Sequence, residues 1–160
     1  MGGCAMNVTA ENLKNTWESI FRRKGGDGAY TRLFDSMEPG QRSTLLSTLT
    51  LRGTELPVIG SLLGPGNWLV LTTERIVWVT RGERHELATG NVRDAIADLR
   101  QLGNSQSKLQ MRSLQVTTFS GEKYKVELEP GPPLSGTWNV LKNLGTRNRH
   151  AAEKGAGSSE

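Results

Sequence analysis

Histidine and cysteine most often supply base, nucleophile or metal-ligand chemistry near neutral pH. This chain has only Cys4, His85 and His150. His85 stands beside Glu83 and Glu86. A strand would put residues 83 and 85 on one face, so a Glu83–His85 pair is the one base-like constellation that the spacing offers. No nucleophile in a recognisable context lies near it, and a plain surface histidine is the better account. His150 falls in a polar tail. Asp94 and Asp98 share a face whether their segment is strand or helix, but two acids alone make a thin metal site. HExxH, paired CxxC, P-loop and GxSxG patterns do not occur. Gly25-Gly26-Asp27-Gly28 follows a helical pattern rather than a strand, so it reads as a linker and not as a phosphate cradle. The expectation is a chain with no catalytic residue, no metal and no cofactor, hence not an enzyme.

Binding chemistry is the remaining class. Lys and Arg number 20 against 16 Asp and Glu, a formal charge of +4. The cations are scattered and interleaved with acids, unlike the basic stripe of a nucleic-acid binder, so no nucleic acid is expected. Arg75, Arg81, Arg84, Lys123 and Lys125 are the candidate ligand or partner surface. A second candidate is an apolar stripe, Leu13, Trp17, Ile20 and Phe21, at helical spacing. It must bury against something: the rest of the chain, a second copy to give a homodimer, or a groove on a partner. One cysteine forbids an intrachain disulfide. No transmembrane stretch or secretion signal is visible, and together these features suggest a cytoplasmic protein.

The elements that would carry these groups fall into two zones. Residues 1–7 read as a flexible N-terminus and 8–50 as a helical extension. Thr9 is a sensible N-cap for a helix over 10–23, which Gly25-Gly26 stops. Asp27 would cap a second helix carrying Tyr30, Leu33, Phe34 and Met37, ended by Pro39-Gly40. Leu45, Leu46 and Leu49 suggest a further short helix. From about residue 54, runs rich in Val, Ile and Trp alternate with Gly, Asn and Pro turns. They predict strands over 54–63, 67–73, 75–81, 83–88, 92–100, 108–119 and 122–129. Residues 92–102 also fit a helix. A phase flip near Arg112-Ser113 predicts a bulge. Pro130-Gly131-Pro132-Pro133 ends the sheet. A helix over 134–144 follows, with Leu134, Trp138, Leu141 and Leu144 on one face. Gly145 closes it, and 146–160 read as a disordered tail.

The run Gly66-Asn67-Trp68-Leu69-Val70-Leu71-Thr72-Thr73-Glu74-Arg75-Ile76-Val77-Trp78-Val79 resembles the "LT-x-x-R-hydrophobic" hairpin of GRAM-type and bacterial pleckstrin-homology-like domains. Leu51-Arg52-Gly53-Thr54-Glu55 is similar to the opening before their first strand, and Trp138 lies in the terminal helix as a Trp does in many such domains. The resemblance covers about 54–144, in a domain that would run over 54–145. It implies an α+β, mostly β fold: a seven-stranded bent antiparallel sheet, or partly open barrel, capped by the C-terminal helix. It implies a binding module, foremost for protein or peptide. Anionic phospholipid is the alternative, although the loop Ser61–Asn67 lacks the basic residues that lipid binders of the family place there. An inhibitor or immunity-type protein that blocks a partner enzyme is the third.

Overall fold

The computed structural model describes residues 9–97 and 113–158. Residues 1–7, Asp98 and the 108–112 stretch with its predicted bulge lie outside the described residues. Thr9 opens α1 (Ala10–Lys24), its Oγ1 accepting the Asn12 N–H at 3.1 Å. Gly26, at φ +122°, turns the chain out of the helix.

The second predicted helix does not form. Residues 27–37 make a short strand, β1 (Thr31–Leu33), and a 3-10 turn (Phe34–Ser36). The reason is non-local. The Glu129 carboxylate accepts the backbone N–H groups of Ala29, Tyr30 and Thr31 at 2.7–2.9 Å, and Asp27 Oδ1 accepts that of Leu33 at 2.9 Å. These bonds hold the segment extended, with Thr31 and Leu33 buried. Pro39 begins a helix rather than ending one. It stands in the first turn of α2 (Pro39–Thr48), where its missing N–H costs nothing, behind a Glu38–Gln41 capping box.

Strands then follow one another as antiparallel neighbours: β2 (Pro57–Gly64), β3 (Asn67–Thr72), β4 (Arg75–Thr80) and β5 (Glu83–Ala88). With β1 at its edge this is a five-stranded sheet, order β1-β2-β3-β4-β5. The β4–β5 turn has positive φ at both Arg81 and Gly82, the geometry that matches strand twist. A 3-10 turn at Thr89–Asn91 breaks the ladder, and β6 (Val92–Ala97), β7 (Ser113–Thr118) and β8 (Lys123–Glu127) form a separate three-stranded sheet. The expected strands are therefore present, but in two sheets that do not close into a barrel, and residues 92–97 are strand rather than helix.

Two cores flank the five-stranded sheet. On one face, Leu69, Leu71, Ile76 and Trp78 pack with Leu114, Val116 and Val126 of the smaller sheet, with Trp17 and Phe21 of α1, and with the C-terminal helix. On the other, Trp68, Val70 and Val77 meet Phe34, Met37, Leu45 and Leu49. Burial on both faces explains why β2–β4 are almost continuously apolar instead of alternating. Gly60 of β2 makes the second contact possible: a Cβ there would stand 2.5 Å from Met37 Sδ.

The C-terminal helix α3 runs from Pro132 to Ser158, well past Gly145. Gly145 is a close-approach residue, not a stop, since a Cβ there would lie 2.6 Å from the Arg93 carbonyl oxygen. Beyond it, Asn148 Nδ2 donates to the Thr89 and Val92 carbonyls at 2.7 Å each, and Arg149 Nη1 donates to the Arg93 carbonyl. The expected disordered tail is thus helix through residue 158, its first turns tied to β6.

Candidate functional site

The five candidate cations go to four different places. Arg75 is not on the surface. Its side chain is 6% exposed and pairs with the Glu55 carboxylate at 2.8 Å, and its guanidinium also donates to the Glu86 carboxylate and the Thr50 carbonyl. Thr72 Oγ1 donates to Glu55 at 2.5 Å and accepts the Glu74 and Arg75 N–H groups. Burial pushes the Glu55 carboxyl up, but hydrogen bonds from Arg75, Thr72 and the Arg52 backbone outweigh it and hold the group below the usual carboxylate range. The bond to Glu55 holds the Arg75 guanidinium protonated, against the effect of burial. The cluster staples residues 50–55 to the β3–β4 turn, so Arg75 is structural.

Arg84 lies on the sheet face that meets α2, its guanidinium 5.9 Å from the Trp68 ring and bonded to the Thr48 carbonyl at 2.8 Å. Lys123 sits on the outer face of the three-stranded sheet. Only Arg81 and Lys125 converge. They flank a cleft of about 240 Å³ between the β4–β5 hairpin and β8, with Glu83 and Glu127 also on its rim and Trp78, Thr80 and His85 lining it.

Strand parity builds one wall of the cleft, and Lys125 and Glu127, in the phase of Lys123, reach it from the β8 edge. Trp78, Glu83, His85 and Leu87 share the inner side of the sheet, and Leu87 and Trp78 belong to the core. His85 does not pair with Glu83. It stacks on Trp78, with ring centres 5.3 Å apart and planes at 24°, and Tyr124 meets Trp78 edge-on at 5.7 Å. Burial first, then the charge of Glu122 and a hydrogen bond to its side chain, raise the Tyr124 phenol above its ordinary value. Sequence reading missed this aromatic trio. Its signal was the shared phase of His85 with Leu87 and of Tyr124 with Val126.

β5 and β8, on either side of the cleft, each pair on one side only among the described residues. The Thr118 N–H bonds the Glu122 carbonyl, so in the same register residues 124 and 126 hold the hydrogen bonds to β7. The N–H and C=O groups of 123, 125 and 127 then point away from β7, to the free edge.

The second candidate surface, the stripe on α1, is consumed within the chain. Trp17 and Phe21 are fully buried, Ile20 nearly so, and Leu13 packs against the same core. Ser135 Oγ donates to the Lys24 carbonyl, and a Cβ on Gly136 would lie 2.7 Å from Phe21, so α1 and α3 pack close. That face is therefore already covered within the chain. Among the described residues no group of three or more His, Cys, Asp and Glu is placed to hold a metal, and no helix is long and apolar enough to cross a membrane. No protein-family model, curated protein or solved structure matches the chain.

Proposed function

We propose that the protein is a non-enzymatic, pleckstrin-homology-like binding module that takes an extended peptide along the seam between β5 and β8. The fold part of this reading rests on element order. A four-strand meander, a three-strand meander and a C-terminal helix follow one another, with β1 and α2 added around the first sheet. The functional part rests on one observation: two strand edges that are free among the described residues border a cleft lined by aromatic rings. An added strand would take main-chain hydrogen bonds from such an edge, while the ring pocket receives one of its side chains. Arg81 and Lys125 against Glu83 and Glu127 favour a segment bearing both charge signs. The dispersal of the five cations supports a peptide over a single lipid-facing patch.

Selection from a displayed library of extended peptides, followed by amide mapping of the winners, tests the reading. Bound peptide should protect the N–H groups of residues 123, 125 and 127. Lys125→Pro removes one free-edge donor without touching the β7 ladder and should abolish binding, whereas Lys125→Ala should retain most of it. Peptides that bind both variants equally, or that map to the α2 face, would refute the proposal.

A further inference from the structure

A second concave surface, on the outer face of the three-stranded sheet, is separate from the seam and independent of it. It is a groove of about 360 Å³ between that sheet and the second half of α3. Strand alternation puts Ile96, Gln115, Thr117 and Lys123 on this face, opposite the buried Ala95, Leu114, Val116 and Val126. The register shift between Val92 and Asp94 adds Arg93, since a bulge re-aims the side chain that it displaces. Arg149 comes from α3, from the segment that a glycine-based reading would leave loose.

Among the described residues, the charges around the groove are not balanced. Arg149 is held in place by the Arg93 carbonyl, by Thr146 Oγ1 at 3.2 Å and by Asp94 at 3.7 Å. Arg93 and Lys123 have no acidic partner among the described residues. Three cations against Asp94 leave a net charge of +2 on the groove wall (3 − 1). A phosphate monoester carries about −1.5 to −2 at neutral pH and accepts through three oxygens. A monocarboxylate would leave a positive charge unmet. The Thr117 hydroxyl and the Gln115 amide supply neutral donors beside the cations. Ile96, 47% exposed, gives an apolar wall for whatever carries the phosphate.

We propose that this groove, formed by Arg93, Lys123 and Arg149 with Thr117 and Gln115, binds a phosphate monoester, either on a soluble molecule or on a lipid headgroup. The fixed Arg149 guanidinium offers directed donors, and Arg93 and Lys123 close on the remaining oxygens. The dianion is the preferred species, so binding strengthens as pH rises through the second phosphate ionisation near about 6.

Amide chemical-shift titration of the whole chain with inorganic phosphate is the test, against chloride at matched ionic strength. Saturable shifts at Gln115 and Thr117 are expected, stronger above about pH 6. Lys123→Glu should weaken them by about tenfold or more, which is one unit of log affinity, and Arg42→Glu on the far side of the molecule should not. Arg93→Gln gives a second reading if Lys123→Glu alters the fold. Sedimentation with phosphatidylcholine vesicles doped with phosphatidic acid separates the sources. Pelleting that inorganic phosphate competes away and Lys123→Glu abolishes assigns a lipid headgroup. Saturable phosphate binding without pelleting assigns a soluble ester. Shifts no larger than those with chloride, or unchanged by Lys123→Glu and Arg93→Gln, overturn the proposal.

Discussion

Glu55 carries a carboxylate into a place where water does not reach, and Arg75 and Thr72 are what make that tolerable. The lowered ionisation of Glu55 sets a sign. A group whose folded-state pKa is depressed contributes stability above its ordinary value and loses it as pH falls through the folded-state value. Urea melts should therefore lose stability on the acid side below the usual carboxylate range, and Glu55→Gln should flatten that loss while lowering stability at neutral pH. Leaving a buried partner unpaired costs about 3–5 kcal/mol. The lower end is expected here, because Arg75 keeps Glu86 and the Thr50 carbonyl. An acid limb unchanged in Glu55→Gln would show that other carboxylates set it. The same cluster bears on what the sequence could reveal. Thr72, Arg75 and Glu55 all belong to the short motifs that carry the family resemblance, and in the structure those motifs meet as one ion pair. Their spacing pointed to a hairpin and a preceding loop. Nothing in it said that Arg75 faces inward, because that depends on an acid 20 residues earlier in the chain.

At the scale of elements, glycine misled where it served packing rather than turning. Gly145 in a helix of modest apolar content reads as a terminator, yet the β6 backbone fills the space a side chain would need. Gly145→Ala should cost about 1–3 kcal/mol by overpacking, although alanine is the better helix former. Truncation after Thr146 should remove the Asn148 and Arg149 bonds to β6 and the 3-10 turn before it, at about 1 kcal/mol for each hydrogen bond lost, and lower the melting temperature by several degrees. A truncated chain that melts like the full one would mean that these bonds form without stabilising. Residues 27–37 failed for a related reason. Their helical periodicity is real, but Glu129, about 100 residues away, captures the N–H groups that a helix would have used internally. The strands were far more legible. Turn chemistry is local, and Gly64-Pro65-Gly66-Asn67, Thr73-Glu74 and Arg81-Gly82 lie where β2 through β5 turn. The seam was not legible, because it depends on how two sheets face one another.

Across the whole molecule, the N-terminal segment is not an appendage to a β-domain. α1 closes one core and α2 the other, so the five-stranded sheet is covered on both sides only when residues 10–49 are present. The continuous apolar runs of β3 and β4 already implied this, since a sheet wet on one face would alternate. The energy involved is large on the scale of a domain. Burying Trp17, Ile20 and Phe21 contributes roughly 1.5–3 kcal/mol each as an upper bound, while total stabilities are about 5–15 kcal/mol. Deleting residues 1–40 would also strip Phe34 and Met37 from the core beneath α2 and expose the faces of both α3 and β3. The deleted chain should therefore lose its cooperative urea transition and aggregate. The intact chain, with its apolar stripe already covered, should run as a monomer in light scattering. A deleted chain that keeps a cooperative transition, coming from an intact chain that is dimeric, would reverse the assignment: α1 would then be an exchangeable arm, and the burial of Trp17 and Phe21 would belong to an interface between copies.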